Sequence, residues 1–190
     1  MKIIIAEISH RGGKYSDWVS LPCTVEYLKA QVDGTAPSGL YVETIKVDWC
    51  DVKITLSPSI YINEGKDVEA MNSFAQTLSN IPGGELVKFV AVLEWERVHT
   101  HYRELTWERL EELARDLPNF VHYPRAYNIS DVGFTVAHEL GLLKRLPDEV
   151  VNNFPYEQLG ETHMGDGAFT HYGFVGHWDT VMHDAKNEEE

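Results

Sequence analysis

The sequence predicts an α+β fold: an elongated chain of three small units, with a β-rich N-terminal unit that contains one helix, a helical middle, and an α+β C-terminal unit. Three observations predict this organisation. β-branched and apolar runs dominate the first 60 residues, apolar residues at helical spacing follow, and a capped helix leads to an aromatic, glycine-rich hairpin near the end. We expect the unit boundaries at 1–60, 61–122 and 123–190.

The N-terminal unit is expected to hold strands and one short helix. Thr24 is a suitable N-cap for a helix over 25–32. Leu28 and Val32, four residues apart, lie on one face of that helix. Pro58 is expected to close the unit. The strand candidates are residues 3–8, 17–21, 41–47 and 52–56.

The middle changes to helical spacing. A first helix includes Val68, and residues 80–84, with one proline and two glycines, separate it from a second that begins near Leu86. Thr106 is expected to cap a third helix that Pro118 ends. The residues whose helical spacing defines these helices are Met71, Asn72, Ala75 and Leu78, then Phe89, Val90 and Leu93, then Leu110, Leu113 and Leu117.

The C-terminal unit is expected to begin with a strand over 120–123. Ser130 is the expected cap of a helix that ends at Gly141. Two short helical segments follow, one from Pro147 and one over 156–160 that Gly160 stops. A hairpin over 167–175 completes the unit.

Charge and composition exclude several classes of protein. The 190 residues include 30 acidic and 16 basic ones, net −14, and the densest basic group is the pair Lys144-Arg145. A basic nucleic-acid-binding patch is therefore excluded. The sequence contains no run of about 18 apolar residues, so no membrane span is expected. No secretory signal is expected at the N-terminus. Two cysteines make a disulfide framework improbable, so the cytoplasm is the expected compartment.

Acidity rises along the chain, with net charges of −1, −5 and −8 over 1–60, 61–122 and 123–190. Two interpretations stay open from charge alone. The acids form a solvated surface that keeps the protein dispersed, or they form an acidic face for a partner that normally binds DNA.

Candidate catalytic chemistry is sparse. His138-Glu139 resembles the start of a zinc peptidase helix, but Leu142 stands where the second histidine is needed. Four late histidines, His163, His171, His177 and His183, are spaced by 8, 6 and 6 residues, whereas structural zinc sites favour close pairs. A metal-dependent hydrolase that uses these histidines is the alternative to a binding protein. No P-loop and no nucleophile elbow occurs.

A family resemblance rests on the C-terminal half. In order, the chain contains Tyr127-Asn128-Ile129-Ser130-Asp131-Val132-Gly133, His138-Glu139-Leu140-Gly141, Leu146-Pro147, Phe154-Pro155-Tyr156-Glu157-Gln158-Leu159-Gly160 and Gly167-Ala168-Phe169-Thr170-His171-Tyr172-Gly173-Phe174-Val175. This order resembles the ArdA antirestriction proteins. The resemblance covers most of residues 3–175, and weaker matches occur at Trp18, Leu21-Pro22 and Met71-Asn72-Ser73-Phe74-Ala75.

The resemblance implies a non-enzymatic DNA mimic without cofactor or metal. Such proteins are described as elongated homodimers whose carboxylates imitate DNA phosphates and occupy the DNA-binding groove of type I restriction–modification enzymes. The partners implied are that enzyme and a second copy, with neither nucleic acid nor membrane bound directly. An acidic module for another DNA-binding protein is a further alternative.

Residues are assigned to two surfaces. The acids expected on the mimic face are Glu104, Glu108, Glu111, Glu112, Asp116, Asp148, Glu149, Glu157 and Glu161. The aromatic residues expected at the dimer interface are Tyr156, Phe169, Tyr172 and Phe174.

Overall fold

A computed structural model describes residues 2–10, 16–31, 39–50, 52–63, 65–101 and 105–182. Helices and antiparallel sheets confirm the α+β class. The elements are β1 (Ile3–His10), β2 (Ser16–Leu21), α1 (Val25–Gln31), β3 (Leu40–Trp49), β4 (Val52–Leu56), β5 (Ile60–Ile62), α2 (Gly65–Asn80), α3 (Gly83–His99), α4 (Trp107–Asp116), β6 (Phe120–Tyr123), α5 (Ile129–Glu139), α6 (Asp148–Asn152), α7 (Tyr156–Thr162), β7 (Ala168–Thr170), β8 (Gly173–His177) and α8 (Trp178–Met182).

The chain forms two compact units. Unit 1 comprises Met1–Val90 and Tyr102–Arg115, and unit 2 comprises Ala91–His101 and Asp116–Glu190. This division assigns residues of the predicted central helical unit to both, and the three-unit organisation over 1–60, 61–122 and 123–190 stays a prediction.

Unit 1 is built on an antiparallel sheet in the order β2-β1-β3-β4, with β5 also paired to β3. Successive side chains of a strand point to opposite faces, so the alternating apolar residues of these strands are buried together on one face. A register shift between Glu7 and Ile8 interrupts the pairing of β1 with β3. The buried residues include Val19, Leu21, Ile45, Val47, Ile54 and Leu56.

The sheet extends beyond Pro58, where the sequence interpretation ended it. Ser59 has a positive φ of 59°, and the chain then enters β5, in which Ile60 pairs with Val42. Strand β1 occupies one edge of β3, so β4 and β5 share the other edge at different positions along it. A three-residue strand has too short a pattern for its period to be read from the sequence.

The start of the chain is joined to the end of α2. The Lys2 ammonium Nζ donates to the carbonyl oxygens of Ser79 (2.7 Å), Leu78 (3.2 Å) and Ile81. The last carbonyls of a helix have no partner within the helix, so a cation at this position satisfies them and complements the helix dipole. Burial lowers the pKa of Lys2.

Unit 2 contains a three-stranded antiparallel sheet in the order β6-β8-β7. Its core includes Val121, Tyr123, Val132, Val136 and Phe174, all at most 5% exposed. The predicted strand at 120–123 and the predicted hairpin are both present. The pairing of β6 with β8 was not evident in the sequence, because it joins residues more than 50 positions apart.

Two local expectations for unit 2 are wrong, and one helix was not predicted. Asn128, rather than Ser130, caps α5, since its side-chain oxygen accepts from the backbone N–H of Asp131 at 2.9 Å. Gly160 does not stop its helix but lies buried within α7. Helix α8 was not predicted at all. Gly141 does end the α5 region, with a φ of 70°.

Candidate functional site

The predicted acidic face begins on α4. Thr106 caps this helix, accepting from the backbone N–H of Arg109 at 3.2 Å. Trp107, Leu110 and Leu113 form its buried stripe. Helical geometry therefore turns Glu108 and Glu112 to solvent and leaves Glu111 half-buried. Glu104, which was assigned to the same face, lies outside the described residues.

Some carboxylates of α4 already have a partner within the molecule. Glu112 Oε2 lies 3.1 Å from Arg109 Nη1. Asp116 Oδ2 lies 3.4 Å from His177 Nε2, and its Oδ1 accepts from the Asn119 amide. No cation among the described residues pairs with Glu108 or Glu111. The predicted face thus contains carboxylates with and without an internal counter-charge.

Four predicted acids of unit 2 are exposed and have no cationic partner in the described part of the chain. Asp148 and Glu149 form the first turn of α6 after Pro147. Glu157 and Glu161 lie on α7. Acids in the first turn of a helix are favoured by the unpaired backbone N–H groups there, so Asp148, Glu149 and Glu157 suit their local structure without needing a cation.

Helices α5 and α7 cross through two glycines. A Cβ added to Gly133 would overlap the Tyr156 carbonyl, and one added to Gly160 would overlap the Ile129 carbonyl. The two backbones therefore meet directly, with no side chain between them. This crossing fixes where α7 presents Tyr156 and its two glutamates.

The predicted interface aromatics separate into two groups. Phe174 is fully buried in unit 2, with its ring centroid 5.5 Å from Phe169 and 5.9 Å from Tyr123. Phe169 is exposed and Tyr172 half-buried on the hairpin. The ring contacts of Tyr156 are instead with Phe134 and Phe154, at 5.3 and 5.0 Å.

His177 lies between two carboxylates. Its Nδ1 is 2.6 Å from Asp166 Oδ2, its Nε2 faces Asp116, and its ring packs 4.1 Å from the Phe120 ring centroid. Trp95 approaches the same imidazole edge-on at 4.8 Å and donates its indole N–H to the Asp166 carbonyl at 2.8 Å. This cluster joins residues of α3, α4, β6 and β8 within unit 2.

The carboxylate of Asp166 has a lowered pKa. Burial acts to raise the pKa, but hydrogen bonds from the Thr180 hydroxyl and from the ring and backbone N–H of His177, together with the charge of His177, outweigh it. Asp166 is thereby held ionised at the start of α8. The sequence pointed to His177 only as one of four widely spaced histidines, because its contact with Asp116 depends on the β6-β8 pairing.

The remaining candidate metal ligands are dispersed. His163 is 3% exposed with Nδ1 2.7 Å from the Val181 carbonyl oxygen, and His171 lies beside Glu94. His183 lies outside the described residues. Within the described ranges, no group of three or more His, Cys, Asp or Glu residues is arranged to hold a metal ion.

The His138-Glu139 pair has structural contacts. Glu139 accepts a hydrogen bond from the Tyr123 hydroxyl at 2.9 Å, and the His138 ring packs 4.5 Å from Phe134. Burial, followed by the charge and hydrogen bond of Glu139, raises the pKa of Tyr123. Exposed Phe134 was not among the predicted site residues; its position four residues before His138 on a helix surface was the available signal.

Among the helices of the described segments, none is long and apolar enough to cross a membrane.

Comparison with known proteins agrees with the resemblance in the sequence. A search of curated proteins gave no significant match. The family model described as antirestriction protein (ArdA) matches residues 10–176 of the 190. The chain therefore belongs to the ArdA family of antirestriction proteins.

Proposed function

We propose that this protein acts as a non-enzymatic DNA mimic that occupies the DNA-binding groove of a type I restriction–modification enzyme in the cytoplasm. The observation that supports the proposal most directly is the set of exposed carboxylates with no cationic partner among the described residues. These are Glu108 in unit 1, and Asp148, Glu149, Glu157 and Glu161 in unit 2. Glu112, which pairs with Arg109, contributes less outward charge.

Electrostatics makes the mimicry reasonable. Duplex DNA carries about one charge per 1.7 Å of axis, so two copies with a combined charge of −28 equal roughly 48 Å of duplex. A groove that binds phosphates attracts such a surface at long range and accelerates association. The same surface repels nucleic acid, so direct DNA binding is not part of the proposal.

A homodimer would double the acidic length. Of the predicted interface residues, Phe169 and Tyr172 have surface to bury against a second copy, whereas Phe174 is already buried and Tyr156 faces Phe134 and Phe154. Light scattering at micromolar concentration tests this part of the proposal. We expect twice the chain mass of 21.7 kDa, and a monomer would refute it.

The central test is competition with DNA for a purified type I methyltransferase complex. The protein should displace a labelled target duplex at a fixed salt concentration. Its direct binding to the complex, measured without DNA, should weaken as salt rises, because exposed charges are screened over about 8 Å at physiological salt. Glu108→Lys with Glu112→Lys should weaken displacement. The same charge change at exposed Glu26 and Glu69, outside the predicted face, is the matched control.

Three results would count against the proposal or part of it. Failure of the wild-type protein to displace DNA would refute mimicry of this target. Direct binding to the complex that is equally tight at low and high salt would indicate apolar docking rather than carboxylate contacts. Equal losses in the α4 variant and in its control would remove α4 from the face.

A further inference from the structure

An aromatic surface lies beside the acids of α7. Phe134 is 46% exposed, and its ring contacts His138 at 4.5 Å and Tyr156 at 5.3 Å, while Phe154 contacts Tyr156 at 5.0 Å. We call these four residues the Phe134 patch. Val132, Gly133, Val136 and Ala137 already supply the buried face of α5, so Phe134 and His138 are not needed to complete the core.

The patch is held in a fixed arrangement. The Tyr156 hydroxyl donates to the Val151 carbonyl at 2.9 Å, and the main chain of Tyr156 lies directly over Gly133. Its ring therefore has little freedom to turn away from Phe134. A rigid aromatic surface loses little conformational entropy when a partner covers it, and aromatic residues dominate the binding energy of many protein interfaces.

The charge around the patch selects the kind of partner. Residues 127–162 hold six acids and two bases, net −4, and Glu157 and Glu161 on α7 have no cationic partner among the described residues. A second copy related by a two-fold axis would bring these like charges together, which is unfavourable. A basic protein surface with an apolar area beside it complements both features.

We propose that the Phe134 patch is an apolar anchor within the acidic surface, and that its occupant is the protein wall beside the basic DNA groove of the bound enzyme. This inference rests on the proposed function and adds a contact that DNA itself does not make. Carboxylates then govern the approach and the salt dependence, whereas the patch governs how slowly the complex dissociates.

The experiment measures association and dissociation rates on an immobilised type I methyltransferase complex that the wild-type protein displaces from DNA. Phe134→Ala should raise Kd by about tenfold or more, as expected for an interface hot spot, mainly through faster dissociation. The slope of log Kd against log salt should not change, because no charge is removed. Tyr27→Ala is the matched control, since Tyr27 is 43% exposed on α1, outside the patch. His138→Ala provides a second variant of the patch.

Several outcomes overturn the inference. A Kd for Phe134→Ala and His138→Ala that equals that of Tyr27→Ala would show that the enzyme does not cover the patch, while DNA displacement by the wild-type protein would still support mimicry. A fall in molar mass on Phe134→Ala would assign the patch to a second copy of this chain. Absence of wild-type displacement would refute the proposed function and this inference with it.

Discussion

Units 1 and 2 contain the same number of acidic residues but differ in their cations. Unit 1 has 15 acidic and 11 basic residues, net −4, whereas unit 2 has 15 acidic and 5 basic, net −10. The number of exposed large apolar side chains also differs between the two units. Among the described residues, unit 1 exposes three large ones, Ile3, Trp18 and Tyr27, and unit 2 exposes eight.

This comparison shows that the acidity of unit 2 arises from a shortage of bases rather than an excess of acids. An exposed ion pair contributes little to stability, so losing the cations costs unit 2 little as a fold. Asp148, Glu149, Glu157 and Glu161 then have no cationic partner among the described residues, and unit 2 also exposes more large apolar side chains than unit 1. Both features favour binding over folding, which is why we place the partner-binding surface largely on unit 2.

The largest effect is expected at the crossing of α5 and α7. Gly133→Ala places a Cβ into the Tyr156 carbonyl, and forcing such contacts costs about 3 kcal/mol. Amide hydrogen exchange should then show faster opening of α5 and α7, with β1–β4 unchanged. Gly84→Ala is the control, since nothing lies within 4 Å of its added Cβ. Equal acceleration of amide exchange in both units would mean that they unfold together, which would contradict our treatment of them as independent units.

A second expected effect concerns Asp166. A lowered carboxyl pKa in the folded state stabilises unit 2 above the unfolded value of about 3.9, and that stabilisation is lost as pH falls through the folded value. Asp166→Asn should therefore cost about 1–3 kcal/mol at neutral pH and less in acid. Denaturant unfolding across pH tests this, with exposed Asp179→Asn as control. A cost for Asp166→Asn that does not change with pH would contradict the assignment.

The third prediction sharpens the difference in charge. Glu157→Lys with Glu161→Lys should weaken binding to the methyltransferase complex by about tenfold, because four charge units change on the surface that we propose imitates DNA phosphates. The same reversal at Glu26 and Glu69 of unit 1 should change binding by less than about threefold, since acids away from the contact act only through the screened field. Association and dissociation rates measured at several salt concentrations test this prediction. Equal losses of affinity in the two double variants would show that binding depends only on total charge.

The smallest effect is expected in unit 1. Lys2→Met keeps the aliphatic stem of the side chain but removes the donor to the last carbonyls of α2, at a cost of about 1 kcal/mol. Lys53→Met is the control, because Lys53 pairs with Asp48 at an exposed site and such pairs contribute at most about 1 kcal/mol. Chemical denaturation followed by tryptophan fluorescence measures both losses of stability. A greater loss for Lys53→Met would refute the role of Lys2.

The sequence predicted what local chemistry determines. Thr106 caps α4 as expected, and the apolar stripe of that helix places Glu108 and Glu112 in solvent. Proline and glycine also marked the breaks between α2 and α3 and after α5 correctly. These features depend on residues a few positions apart, so their physical cause is visible in the chain.

Features that depend on distant residues were missed. Asn128 caps α5 instead of Ser130, because the path of the chain into the helix determines which side chain reaches the Asp131 amide. Gly160 was taken as a helix stop, although it lies within α7, where a Cβ would overlap the Ile129 carbonyl. The contacts of His177 with Asp116 and Asp166 require a strand pairing that no short-range pattern reveals.

The glycine crossing also bears on how this protein could be retargeted. Because α5 and α7 touch through their main chains at Gly133 and Gly160, the register of the two helices does not depend on the outward side chains. Substitutions at Phe134, His138, Glu157 and Glu161 therefore leave the scaffold in place. A library varied at those positions, with both glycines kept, offers a direct route to variants that recognise different enzymes.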